Sequence, residues 1–431
     1  MIEAAAREVW RLPSGLRFLD ATSDIVASGG AVSLLLDDWA DRATFLDELR
    51  WHLSSRGLTF QALHDHDPMS TSPIDCLIEG LGLSAVKSRY DAAGDAMLRL
   101  VGHEDLPDVT AVIAADAGGL GAPAWVEFAH AWAKSSKSMS DGGGTPPALC
   151  VVLTPAAAKE HDLPTDAQLA AHWMMGVPDA LEMRLLCRLA DDDEVVGIRR
   201  WREHIIPALC GSDLGLLPQL WNVVLEGHSA LLDALNAYAS FRGWTSEQLR
   251  EAGVDTQMRI KSAGHAIESA EMAPPPRLRQ AWSTGALMST PEQGTEVNSA
   301  ALPLLDAEDV LLQRLWRGQV GLVMPGIDGL RMAMCSQLTR RFGPRWATEF
   351  GLPPIEDEAQ AVKKSPLACQ WGHLLYLLRN HRRLHDFSEW IPLVVQARKV
   401  RNHLAHGAPI TFCEYGGLRK AAEACGFGQW L

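Results

Sequence analysis

The sequence predicts an α/β N-terminal domain, an α-helical middle region and an all-α C-terminal domain. Three observations carry this expectation. Short apolar runs alternate with helical patterns over the first 160 residues; strand signals then stop while helical spacing continues; and a stretch rich in Pro, Ser, Thr and Gly separates the last helical block. The division is residues 1–160, 161–268, a linker at 269–305, and 306–431.

The strand candidates are "AVSLLLDD" (31–38), "LTFQALH" (58–64), "VTAVIAAD" (109–116) and "LCVVLT" (149–154). Between the first two, Phe45, Leu46, Leu49 and Leu53 recur at helical spacing and Gly57 stands at a C-cap position, giving a strand, helix, strand unit. Helical blocks follow, such as "PDALEMRLLCRLAD" and "LLPQLWNVVLEGHSALLDALNAYASF", and the 15 tryptophans fall mainly in such amphipathic segments, where core packing is expected. Near the C-terminus, "SEWIPLVVQARKVRNHLAHG" (388–407) predicts one helix of about 18 residues with Ser388 as N-cap, Pro392 in the first turn and Gly407 as the stop.

Composition narrows the function classes. The chain has 431 residues, 47% hydrophobic and 21% charged, and no apolar run reaches the roughly 20 residues that span a bilayer. The opening "MIEAAAREVW" lacks the basic flank and apolar core of a leader, so a cytoplasmic protein without a membrane partner is expected. Eight scattered cysteines show neither a Cys-x-x-Cys pair nor zinc spacing and read as reduced core thiols. The net charge of -14 is unevenly shared: residues 311–431 hold 16 Lys+Arg against 9 Asp+Glu, so an acidic body carries a basic C-terminal region.

Within that basic region, Leu393, Val394, Ala397, Val400, Leu404 and Ala405 form an apolar arc on the 388–407 helix. Arg401 falls inside this arc, one heptad from Val394, and a charge buried there needs a partner. Arg398, Asn402 and His406 follow at i, i+4 and i+8 as a polar row. On a straight helix Arg401 and His406 lie about 140° apart, so they converge only if the helix end distorts or another helix supplies the second wall. As ordinary helix-end chemistry, the same cations would simply meet the negative end of the helix dipole.

Arg401-Asn402-His403-Leu404-Ala405-His406 resembles the R-x(4–6)-H signature of the HEPN superfamily, with its polar residue after the Arg and Ala before the His. The resemblance covers at most about 120 residues. It implies a small helical bundle, a homodimer through the motif helices, and a metal-independent ribonuclease without a cofactor, whose composite cleft holds both copies of the motif. Arg401 would stabilise phosphate and transition state, His406 would be the general acid/base and Asn402 would position them. These side chains suit RNA cleavage: an imidazole can move the proton of a 2′-hydroxyl, and a guanidinium stabilises the developing phosphorane charge. Arg398 and Lys399 beside the motif, and Arg382 and Arg383 upstream, are RNA-binding candidates. Other HEPN-like bundles serve only in dimerisation or partner binding, which leaves a non-enzymatic adaptor as the second expectation.

Weaker patterns surround these. "RNHRRLH" (379–385) also fits a loose R-x(5)-H, and His381 and His385, with Asp386 and His373, have a spacing that could hold a metal, but solvated cations and surface histidines explain both. "LHDHDP" (63–68) reads as a hydrophilic turn, and "GGLG" (118–121) and "GGG" (142–144) as loops. "DVTAVIAADAGGL" (108–120) resembles a Walker B strand ending at Asp116, yet G-x-x-x-x-G-K-[ST] is absent and Asp37, Asp38 and Trp39 follow the first strand, where acid would repel phosphates. The N-terminal half therefore resembles a degenerate P-loop domain, or is an unrelated doubly wound α/β domain that uses Asp116 in turn chemistry. Either way no nucleotide-binding residues are expected, and a sensing or regulatory part is, as in prokaryotic anti-phage or conflict systems that join such domains to HEPN effectors and to protein partners.

Overall fold

The computed structural model describes residues 7–64, 72–83, 96–114, 121–143, 145–156, 169–190, 195–255, 274, 276–290 and 294–431. The chain forms two compact units, each assembled from several stretches: residues 1–186, 210–218 and 238–305 in the first, and 187–209, 219–237 and 306–431 in the second.

The first unit is built on a parallel five-stranded sheet of order β2-β3-β4-β1-β5, with β1 Gly30–Leu35, β2 Phe60–His64, β3 Val109–Ile113, β4 Ala148–Leu153 and β5 Leu169–Trp173. Four strands coincide with the expected apolar runs. Residues of β1, β3 and β4 are all buried, as parallel strands covered on both faces require. The main helices of this part are α1 Pro13–Ala27, α2 Arg42–Ser55, α3 Pro73–Gly80, α4 Ala96–Val101 and α5 Gly121–Asp141. Helices α1 and α5 pack on β1 and β4. Trp10, Phe18 and Phe45 form an aromatic cluster with centroids 5.0–6.2 Å apart.

The fifth strand was not expected, because residues 161–268 read as helical. Its register against β1 is Ala31↔Leu169 through Leu35↔Trp173. His172, the fourth of its five residues, is fully buried, stacked 4.3 Å from the Phe18 ring with Nδ1 2.9 Å from Thr22 Oγ1, and burial pushes its imidazole down to about 3. The neutral ring thus behaves as an aromatic core residue.

Helices α6 Ala180–Leu189, α7 Val196–Cys210, α8 His228–Phe241 and α9 Ser246–Glu251 bear out the helical pattern after β5. Inside the stretch read as a linker lie α10 Pro276–Ser283 and the antiparallel hairpin β6 Leu287–Thr290 and β7 Gly294–Val297. Ala286, Leu287, Met288 and Val297 are buried, so this segment is part of the core.

The three parts of the first unit are tied by a buried polar network at the carboxyl end of β1. Asp213 accepts hydrogen bonds from Tyr238 Oη (3.0 and 2.9 Å), Asn298 Nδ2 (2.7 Å) and Gly215 N (3.0 Å). Arg242 donates to Tyr238 Oη at 3.2 Å and pairs with Asp38 at 3.0 Å. Gly285, with φ 71°, leaves the space this guanidinium occupies. One arginine therefore faces Asp37, Asp38 and Asp213. The Asp37 carboxyl is pushed up to about 7, first by burial and then by Asp213, against the opposing pull of Arg242.

Cysteines 76, 150, 187, 210, 335 and 369 are buried free thiols, whereas Cys413 is exposed and Cys425 half-buried, so the expectation of eight core thiols fails for these two. Most tryptophans are core residues, but Trp51 is exposed. No helix among the described residues is long and apolar enough to cross a membrane.

A pH dependence follows from Asp37. The folded chain keeps its proton up to about pH 7, whereas an unfolded aspartate releases it near 4. Unfolding free energy therefore falls as pH rises between those values and levels off above. In urea titrations the Asp37→Asn protein should gain stability relative to wild type on going from about pH 5 to about pH 8; a constant difference would show that Asp37 is ionised throughout.

Candidate functional site

The second unit contains the 35-residue helix α11 Glu308–Phe342, then α12 Glu356–Lys364, α13 Trp371–Asn380, α14 Ile391–Ala405 and α15 Phe412–Ala424. Helix α14 packs against α11, α13 and α15. It is shorter than expected: residues Arg382–Trp390 form a 3-10 segment, so Ser388 lies outside α14 and Trp390 takes the N-cap position without a side-chain bond.

Leu393, Val394, Ala397, Val400 and Leu404 face the interior, but Arg401 and Ala405 are exposed. This corrects the expectation of a buried Arg401. The angular reading places Arg401 beside Val394, yet Val394 is two turns earlier, where neighbouring helices still cover that side. Arg401 Nη1 donates to Asn402 Oδ1 at 3.3 Å. Asn402 and His403 are half-buried, and Arg398, Lys399 and His406 are exposed. Lys399 pairs with Glu414 at 3.0 Å, which makes it a bridge to α15 as well as a cation.

The helix end that carries these groups is rigidly shaped. Gly407, with φ 78°, follows the C-cap His406; Ala408 N donates to His403 O at 2.9 Å and Gly407 N to Leu404 O at 3.2 Å. This pair of bonds is the Schellman arrangement, which needs a left-handed residue where glycine stands. Behind it, Trp316 Nε1 donates to Leu404 O at 2.6 Å. The fully buried Gln319 donates to Ile410 O and accepts from Ile410 N, both at 2.7 Å. Thr411 and Glu414 then start α15 with a capping box, and the Thr411 bond followed by Lys399 holds the Glu414 carboxyl below its usual range. Trp316 and Gln319 were not singled out in the sequence. A glutamine inside an otherwise apolar helix face was the available signal.

The upstream cations are not part of the same constellation. Arg382 and Arg383 lie in the segment that leads into the start of α14, while Arg401 and His406 are at its end, roughly 20 Å away along the helix at 1.5 Å per residue. Two of the four RNA-binding candidates therefore stand apart from the motif within one chain. His373 Nε2 lies 2.8 Å from Gly351 O and His381 stacks on Phe350 at 4.1 Å, so neither is directed at a shared centre with His385. Among the described residues no three His, Cys, Asp or Glu side chains converge as metal ligands. Asp116, Asp65, His66, Asp67 and the glycines at 118, 119 and 144 lie outside the described residues.

At the α/β sheet, the place where a phosphate would meet a helix N-terminus is occupied by the chain itself: Asp41 caps α2, accepting from Ala43 N at 3.2 Å and from Thr44 Oγ1 at 2.5 Å. Comparisons with protein-family models, characterised proteins and solved structures find no match for this chain.

The Gln319 bonds give a direct test of what shapes the motif. Gln319→Leu would leave the backbone N–H and C=O of Ile410 without their partner, and should lower unfolding free energy by about 1–3 kcal/mol for each group left unpaired. Urea denaturation measures this; an unchanged midpoint would remove Gln319 as the anchor.

Proposed function

We propose that the chain is a HEPN-type, metal-independent endoribonuclease effector whose α/β half senses a signal or partner that controls it. One observation carries this reading: Arg401, Asn402 and His406 share the solvent-facing end of α14, and that end is held in shape by Trp316, Gln319 and Gly407. Preorganised donors beside a titratable imidazole are what phosphodiester cleavage needs.

In this reading two copies meet through their C-terminal helices, and the exposed ends of α14 make one cleft with two arginines and two histidines. The His406 imidazole of one copy takes the 2′-hydroxyl proton as that oxygen attacks phosphorus. The protonated imidazole of the other gives a proton to the departing 5′-oxygen. The products are a 2′,3′-cyclic phosphate and a 5′-hydroxyl end. Arg401 neutralises the pentavalent phosphorus centre, Asn402 fixes the guanidinium, and Arg398 holds a neighbouring phosphate. DNA lacks the internal nucleophile. By analogy with conflict systems that join such bundles to degenerate P-loop domains, the protein acts in anti-phage defence with protein partners.

The second reading, a non-enzymatic adaptor in a defence complex, is favoured by Arg401 bonding to Asn402 and not to His406 in the single chain. The two are separated by incubating an RNA pool with purified protein in EDTA and mapping the ends. His406→Ala and Arg401→Ala should each reduce cleavage by about 10²–10⁴-fold, the usual contribution of a general acid/base or a transition-state donor. Cleavage that persists in both variants would sink the assignment.

A further inference from the structure

We propose that the opposite end of the C-terminal bundle is a separate binding face for a single-stranded polynucleotide. It centres on Phe342 at the end of α11, whose ring lies 5.2 Å from that of Phe350 and 6.0 Å from that of Phe387. Arg341 and Arg383 stand over these rings, and Arg340, Arg345, Arg379 and Arg382 follow or precede the hub residues closely in the chain; all six are exposed. Arg341 lies 5.8 Å over Phe342, and Arg383 lies over both Phe342 (5.4 Å) and Phe350 (5.0 Å).

None of these six guanidinium groups forms an ion pair or side-chain hydrogen bond with a described residue. The contrast within the same unit is direct: Arg331 pairs with Asp328 at 2.7 Å, Arg419 with Glu423 at 3.1 Å and Lys399 with Glu414 at 3.0 Å. Glu349, Asp386 and Glu389 are close in sequence and exposed, yet none reaches an arginine of the cluster. Six like charges gathered without counter-ions repel one another, and that cost is recovered when they meet a chain of anions.

The aromatic component selects among polyanions. Arg383 has two rings within cation–π distance and is itself exposed, so its guanidinium is available to stack a base. Tyr376, 59% exposed, lies one helical turn before Arg379 and offers a second stacking surface. Cations alternating with flat rings suit a strand with free bases, whereas a duplex hides its base faces and an acidic peptide has none. Since this face is about 20 Å along α14 from Arg401 and His406, the inference does not depend on cleavage.

The test is fluorescence anisotropy of 5′-fluorescein oligouridine and oligothymidine, each about 20 nucleotides, with full-length His406→Ala protein so that RNA stays intact. Combined Arg341→Ala, Arg382→Ala and Arg383→Ala should weaken both by more than about tenfold and make the salt slope shallower by about 2, at roughly 0.7 per phosphate contact on a single strand. Tyr376→Ala should weaken binding with the slope unchanged. Arg7→Ala, Arg17→Ala and Arg50→Ala together, on the α/β unit, should change affinity by less than about twofold if the face is specific. If the triple variant loses its thermal transition, Arg340→Glu with Arg382→Glu replaces it, with the same expectation. Affinity unchanged by the face variants overturns the proposal. So does preference for a fully paired duplex, for a polyglutamate peptide or for vesicles containing phosphatidylserine over the single strands. Tighter binding of one strand type alone identifies it as RNA or DNA.

Discussion

The α/β unit depends on one buried carboxylate. Asp213 is buried and accepts from three donors, Gly215 N, Asn298 Nδ2 and the Tyr238 hydroxyl shared between its two oxygens. Tyr238 and Asn298 both belong to the 238–305 stretch, so Asp213 ties 210–218 to it, and the Arg242–Asp38 pair carries the link on to the loop after β1. Burial pushes the Asp213 carboxyl up while Arg242 and its hydrogen-bond donors pull it back, so removing one of these partners leaves a costly buried polar group. Arg242 supplies the positive charge, and it is shared with Asp37 and Asp38. Three carboxyls and one guanidinium leave an excess of negative charge, and the proton retained by Asp37 toward neutrality relieves it.

That arrangement also decides what the sheet edge can bind. The crevice beyond the carboxyl ends of parallel strands is the usual ligand position in open α/β sheets. Here the loop after β1 brings Asp37 and Asp38, and the first helix after it is already capped by Asp41. Amides that could receive a phosphate have an internal carboxylate instead, and the nearest guanidinium is occupied. Around the loop after β1, the described residues form a closed structural corner.

Much of this was legible in the sequence where the physics is local. Four strands announced themselves as apolar runs because parallel strands are buried on both faces, and α14 showed its stripe and its glycine stop. β5 was not legible: "LAAHW" is short, three of its five residues are alanine or histidine, and its burial depends on Thr22 and Phe18 receiving His172. The hairpin was hidden by its polar turn composition. Asp37, Asp213, Tyr238, Arg242 and Asn298 had no pattern at all, since their relation exists only after folding. Arg401 was misread for a simpler reason: a helical wheel gives direction around the axis but not how far along it the neighbours extend.

The basic C-terminal charge is likewise visible in composition but not in its arrangement. Residues 311–431 carry 16 Lys+Arg, and the structure sorts them by what each one faces. Arg331 turns inward to the carbonyls of Leu367 and Cys369 and is a packing element. Lys399 and Arg419 brace helices against carboxylates. Two groups of exposed cations stand out from the remainder: the end of α14 with Arg398 and Arg401, and the aromatic hub around Phe342; Lys363, Lys364 and Lys420 are exposed on α12 and α15. The first has a histidine beside its guanidinium groups and the second has flat rings beneath them. Charge alone would attract the same anion to either end; the neighbouring imidazole suits one to proton transfer, and the neighbouring rings suit the other to holding a strand.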